Sequence, residues 1–452
     1  MGSEPLTHLL LISYPAQGHI NPLLRLAKCL ASKGASVIFL TTEYAGKDMR
    51  TVNNITHKSL TSIGDGSLTF HFFDDGLPED DPIRTDLPAY IEQLKLVGEP
   101  FVSQMIKNHA DSNKQFSCII NNPFLPWVCD VASEYHIPSA LLWTQSVSVF
   151  TAYYNYLHKL VPFPSNSEPY LDVPLPFVPL KYNEIPDFMH PFSAFPFLGA
   201  LILEQFKNLS KVFCVLADTY EELEHDFIEY VSDKSIPIRP IGPLFNNPAI
   251  KSASNIRGDF VKSNDSSIIE WLNSKAKRSV VFISFGTIAY FPQEQMNEIA
   301  YGLLESKVSF LWVVKPPSKE LRLKEHVLPE GFLEETSGRG KVDGVHRTRV
   351  PVLTFPAWGD QLTNAKFLVD VFGVGIRLGY GHLENKLVTR DEVKKCLLEA
   401  MTGEKTERLK QNAMKWKKAA EDAVAVGGSS DRNLDEFMED IKKRGGVNVK
   451  KM

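Results

Sequence analysis

Trp358-Gly359-Asp360-Gln361, preceded by Pro356-Ala357, sets an acid beside an amide, and such a pair can hydrogen-bond several sugar hydroxyls at once. A buried polar group left unmet is penalised, so the pair can also select one sugar over another. The same residues would suit a polar loop entering a helix near Thr363, with Asp360 close to its positive end. His19 is the second candidate, in the run Ser13-Tyr14-Pro15-Ala16-Gln17-Gly18-His19-Ile20-Asn21-Pro22, because an imidazole can take up a proton near neutral pH. It could equally cap or pack a turn. A third candidate is Ser284-Phe285-Gly286-Thr287, a small-residue turn whose amides and hydroxyls could meet a diphosphate; strand-glycine-helix junctions of that kind are common.

These residues need a frame that brings loops to one edge. Short apolar runs at 8–13, 36–41, 117–121 and 139–143 alternate with helical patterns from Pro22 and at 126–135. Alternation of this kind predicts parallel strands joined by crossover helices, with ligands bound beyond the carboxyl ends of the strands. The first such end places His19 at a turn, with Asn21 as the expected N-cap and Pro22 at the first helical position. A Pro/Asn-rich stretch at 241–248 reads as a linker, and a second series follows: a strand at 279–284, a helix at 292–306 and a strand at 309–314. The boundaries expected are 1–242, 243–430 and a C-terminal helix and tail at 431–452. The segment 163–195 is Pro-rich and aromatic, which suits loops over a binding cleft better than core.

Composition excludes several classes. Of 452 residues, 43% are hydrophobic and 23% charged, an ordinary globular balance that rules out a disordered or collagen-like chain. A net charge of -5 offers no footprint for nucleic acid. The five cysteines, Cys29, Cys118, Cys129, Cys214 and Cys396, form no C-x-x-C pair, which argues against structural zinc and against a disulfide framework. No apolar run reaches the length of a membrane span, and the N-terminus lacks a basic, apolar leader. A cytoplasmic monomer with no membrane or nucleic-acid partner is expected. Neither Gly373-Val374-Gly375-Ile376-Arg377-Leu378 nor Gly379-Tyr380-Gly381-His382-Leu383-Glu384 has the third glycine of a dinucleotide fingerprint, which disfavours a nicotinamide dehydrogenase.

Pro-x-Gln-Gly-His-x-Asn-Pro at 15–22, Ser-Phe-Gly-Thr at 284–287 and Trp-Gly-Asp-Gln at 358–361 resemble the corresponding motifs of plant UDP-glycosyltransferases of family 1. The resemblance implies an α/β protein of GT-B type, two Rossmann-like domains facing across a cleft, and an inverting transferase that uses UDP-glucose as donor substrate and needs no cofactor or metal. It implies His19 as general base on the acceptor and Gly18 as the point of close backbone approach to the donor. Ser284, Gly286 and Thr287 would meet the donor phosphates or sugar, and Trp358, Asp360 and Gln361 would hold the hexose. Asn121-Asn122-Pro123-Phe124, Pro126-Trp127 and Phe72-Phe73-Asp74-Asp75-Gly76-Leu77-Pro78 look like the branch that makes glucose esters of aromatic acids.

The chain departs from that family twice. Asn122 stands where an aspartate would hold the histidine; an amide can orient an imidazole but cannot stabilise an imidazolium as a carboxylate does. Asp130, on the following helix, is the rival partner, though its spacing from the strand end better suits a solvated helix residue. An acid acceptor, already ionised at neutral pH with a pKa of about 4, removes the need for a strong base. Secondly, the Trp-x-Pro-Gln and His-Cys-Gly-Trp-Asn-Ser segments that bind uracil and diphosphate in the family are missing: between Val342 and Val350 stand only Asp343-Gly344-Val345-His346-Arg347-Thr348-Arg349. The second domain therefore lacks about one strand-helix unit of roughly 30 residues. The alternative function is a noncatalytic protein that binds the small aromatic acceptor and cannot use UDP-sugar.

Overall fold

A computed structural model describes residues 7–448 except 54, 56, 113, 249–255, 257, 259–264, 278, 286–290, 315–323, 344–351 and 380–385. Two compact units emerge. The first holds residues 1–158, 195–262 and 418–452, the second 159–194 and 263–417.

The first unit is built on an eight-stranded sheet. Its strands are β1 (His8–Ile12), β2 (Ser36–Thr42), β3 (Leu60–Ile63), β4 (Gly66–Phe73), β5 (Cys118–Asn121), β6 (Ser139–Trp143), β7 (Cys214–Ala217) and β8 (Ile238–Pro240), ordered β3-β4-β2-β1-β5-β6-β7-β8. Every pairing is parallel except β3 with β4. β1 lies between β2 and β5, and its side chains divide by parity: Leu9 and Leu11 enter one apolar core, Leu10 and Ile12 the other. Burial on both faces explains why such strands read as unbroken apolar runs.

Each unit gathers segments remote in sequence, for identifiable reasons. Residues 243–262 stay with the first unit, because Leu244 N–H donates to Asp218 Oδ1 at 2.7 Å and Lys28 Nζ donates to the Ile256 carbonyl. Residues 159–194 join the second, through the bonds described below. The last helix, Ser429–Asn448, packs on the first unit, with Leu434, Phe437, Met438 and Ile441 in its core.

In the second unit β9 (Val280–Ser284), β10 (Ser309–Val313) and β11 (Gly340–Asp343) form one parallel sheet ordered β11-β10-β9. β12 (Val352–Thr354) and β13 (Gly375–Arg377) form a separate parallel pair. A doubly wound sheet runs 3-2-1-4-5-6, so β9 should have neighbours on both sides. Among the described residues it pairs with β10 alone, and no strand occupies the fourth position. The exposure follows: β10 is buried from Phe310 to Val313, whereas β9 is half-buried and ends on exposed Ser284. The two pieces share one apolar core, to which Val281, Ile283, Leu353, Phe355 and Leu378 contribute. Among the described residues no helix is long and apolar enough to cross a membrane.

Candidate functional site

His19 does not precede a helix; it lies in the first turn of one. The helix runs Gln17–Ser32, with Ala16 as N-cap and Pro22 inside it. The expected cap at Asn21 is therefore corrected: the turn closes earlier, with His19 N–H and Ile20 N–H both donating to the Ala16 carbonyl at 2.9 Å. Pro22 is accommodated a turn further on, at the cost of one helical hydrogen bond. Gly18 is exposed, and nothing within 4 Å would meet a Cβ there, so the backbone is open to approach from outside.

Asn122 reaches this turn, but not the imidazole. Its Oδ1 accepts from Tyr14 N–H at 3.2 Å, while its Nδ2 donates to the His19 carbonyl at 2.9 Å and to Ser13 Oγ at 3.3 Å. The amide thus ties the end of β5 to the loop after β1, and its role is to hold the backbone of the catalytic candidate. Asp130 is no rival, being on the exposed face of helix Trp127–Glu134 and paired with Lys211. No carboxylate among the described residues bonds the His19 ring. Its neighbours are aromatic: Tyr14 at 5.1 Å and Phe124 at 4.9 Å between ring centroids. Desolvation pushes its pKa down to about 4, so the ring is neutral at physiological pH.

Two parts of this setting escaped the sequence reading. Phe124 has a left-handed backbone, φ 78°, uncommon for a bulky residue and favoured here by the turn after Pro123 that brings its ring onto His19. Behind Tyr14 lies Tyr90, at 6.4 Å, whose hydroxyl donates to Asp75 Oδ2 at 3.2 Å. Arg84 grips the same buried carboxylate with two bonds of 2.8 and 2.9 Å and also donates to the carbonyls of Leu77 and Pro78. The Asp74-Asp75-Gly76-Leu77-Pro78 motif therefore anchors an aromatic wall. The pattern of acids before Gly-Leu-Pro was visible; its partner Arg84 carried no local signal.

In the second unit the structure groups Trp358, Gly359, Asp360 and Gln361 on the loop leading into helix Gln361–Lys366. Gly359 takes φ 66°, a conformation suited to glycine. Asp360 Oδ2 accepts from Asn364 Nδ2 at 2.7 Å, and Gln361 Oε1 accepts from Ala357 N–H at 2.8 Å. That leaves the Gln361 Nε2 as a donor with no protein partner among the described residues. Ser284 ends β9, and the adjacent Phe285 ring meets Phe355, at 6.1 Å, just ahead of this loop. Gly286 and Thr287, with His346 and Arg347, lie outside the described residues.

The sequence reading took the Pro-rich segment for loops but named none of the contacts it makes with this loop. Asp187 Oδ1 accepts from Gly359 N–H at 2.6 Å, and Asp187 N–H donates to the Gly359 carbonyl at 3.1 Å. Phe188 meets Trp358 edge to face at 5.5 Å, and Thr363 Oγ1 donates to the Glu184 carbonyl at 2.7 Å.

No family model matches the chain. It is 50% identical to the gallate 1-beta-glucosyltransferase of Quercus robur, over 98% of this chain and 91% of that protein. Identity to the cinnamate beta-D-glucosyltransferase of Fragaria ananassa is also 50%, over 98% of this chain and 84% of that one. The Quercus alignment spans 472 positions, more than the 452 residues of this chain, so the relative carries internal residues that this chain lacks. Among solved structures, Os79 from O. sativa in complex with UDP superposes with a TM-score of 0.79 at 24% identity, covering 96% of this chain and all of that one. At that identity it is the fold that is shared.

Proposed function

The chain belongs to the plant UDP-glycosyltransferases of family 1, GT-B proteins with two Rossmann-like domains, and from that premise we propose that it transfers glucose from UDP-glucose to the carboxylate of a small aromatic acid. In this reaction an acceptor carboxylate oxygen attacks C1 of the sugar from the face opposite UDP. The C1–O bond to the diphosphate breaks with its electron pair leaving on UDP, and the product is an inverted glucose ester. An ionised acid has no proton to lose. His19 orients the acceptor through its neutral ring, Tyr14 and Phe124 supply aromatic contact, and Asn122 holds the His19 backbone. Trp358, Asp360 and Gln361 hold the hexose, while Ser284, Gly286 and Thr287 serve the donor phosphates.

The observation that carries this reading is the state of His19. With a pKa of about 4 and no carboxylate on its ring among the described residues, it is a poor match for the proton of a phenol, whose pKa is about 10. The purified chain, supplied with UDP-glucose and in parallel with cinnamate, gallate or a phenol lacking a carboxyl group, should form an alkali-labile glucose ester with the acids alone. Equal or faster turnover of the phenol would overturn the assignment. The proposed enzyme works as a cytosolic monomer.

Among the described residues β9 pairs on one edge alone, which favours a second reading. The chain also lacks the family segment that grips uracil and diphosphate, which predicts weak donor binding. Titration calorimetry separates the two. Saturable binding of an aromatic acid, with no heat from UDP or UDP-glucose, makes the protein an acceptor binder; donor binding at the strength of the gapless relatives restores the transferase.

A further inference from the structure

We infer that Asp187 is a positioning residue for the sugar loop, and that residues 184–188 form a strap that presets Trp358, Asp360 and Gln361; the inference rests on reading that loop as the hexose-binding element. Asp187 is fully buried, at 0% exposure, and it takes both backbone bonds that Gly359 offers on one side. The two peptide planes meeting at Gly359 set the directions in which Trp358 and Asp360 leave the chain. Pinning its N–H and C=O together therefore fixes the residues before and after it. Gly359 itself, at φ 66° and with the Phe188 ring 3.2 Å from where a Cβ would lie, could become a stiffer residue only with backbone strain and a shift of that ring.

Glu184 secures the other end of the strap. Its backbone carbonyl receives Thr363 Oγ1, and its carboxylate stands 3.6 Å from Lys366 Nζ, 3.7 Å from Arg377 and 3.0 Å from the Lys181 N–H that it accepts. Thr363 and Lys366 lie on the helix that Gln361 begins, so the strap grips the loop and the helix behind it. Burying a polar side chain to hold an irregular loop is costly unless its bonds are good, and 2.6 Å is short for an N–H···O bond. A loop that must meet several hydroxyls at once needs its geometry set before the sugar arrives, since small misplacements carry large rate penalties.

The test compares Asp187→Ala with Asp187→Asn in the full chain. Asp187→Asn keeps an oxygen acceptor for Gly359 N–H, whereas Asp187→Ala keeps none. The alanine variant should raise KM for UDP-glucose by about tenfold, the worth of one strong hydrogen bond. It should narrow the preference for UDP-glucose over UDP-galactose while leaving KM for the aromatic acid unchanged, and the asparagine variant should recover most of the loss. Hydrogen exchange at the Gly359 amide, read by mass spectrometry without substrate, should accelerate in the alanine variant alone. Unchanged exchange at Gly359 would overturn the proposal, as would a parallel rise in both KM values with a fallen Tm, the mark of general unfolding. Wild-type chain that turns over no sugar sinks the transferase reading separately, because the exchange measurement still decides whether the clamp exists.

Discussion

His19 shows how a single ring can report on both chemistry and stability. Its pKa is pushed down to about 4 by desolvation, and burial pushes His71, on β4, down to about 4 as well, helped by neighbouring His57 and Lys58. A histidine whose folded pKa lies below its unfolded value of 6.5 takes up a proton on unfolding between the two. Its stabilisation is complete above the upper value and is lost as pH falls toward 4. Urea titrations across that window should therefore show stability falling with acidity, and His71→Gln should flatten the slope by close to one proton. An unaltered slope in that variant would remove His71 from the account. His19→Gln bears on the chemistry instead, and for an acid acceptor the activity above pH 5 should show no ionisation belonging to the ring.

Elements in this protein are held at their ends by acids remote in sequence. Helix Val147–Leu157 follows β6, and its first two amides, Val147 N–H and Ser148 N–H, both donate at 3.0 Å to the carboxylate of buried Glu224. Burial raises the Glu224 pKa and these bonds oppose the rise, so the carboxylate is well held by the helix start that it completes. Glu224→Ala removes both acceptors at once and should cost about 2 kcal/mol of stability, with Glu224→Gln closer to wild type. Thermal melts of the two variants check this; equal Tm values would show the cap to be dispensable. Asn122 acts in the same way on a smaller scale, joining β5 to the turn after β1. Its neighbourhood with His19 was implied by the family resemblance, but its target was not: backbone and imidazole lie within the same few ångströms, and residue type alone does not choose between them.

Across the whole molecule the two units are unequally built. Among the described residues the first has an eight-stranded sheet with a core on each face, whereas the second divides five strands between two sheets and leaves β9 half-buried. An unpaired, apolar strand edge is a recognised point of weakness and of unwanted pairing. Unfolding followed by two probes should therefore show the second unit melting first. Grafting the strand-helix segment of a gapless relative between Val342 and Val350 should raise that transition and increase affinity for UDP. A graft that folds and leaves both unchanged would mean that the missing unit matters neither to the sheet nor to the donor.

The order of amino acids by itself determined the alternation of strands and helices, the family, the motif residues His19, Trp358, Asp360 and Gln361, and the loss of one unit after β11. All of these are local: run length, glycine and proline punctuation, and short spacings are set within a few residues. Only the tertiary structure decided that the helix at His19 begins before the expected cap, that Asn122 bonds backbone and not ring, that Arg84 anchors the Asp75 loop, and that the Pro-rich segment clasps Gly359. Asp187 and Gly359 stand 172 positions apart, and a hydrogen bond between such residues leaves no trace in the neighbourhood of either. The depressed pKa of His19 has the same origin, because desolvation is a property of what folding packs around a group and not of the group itself.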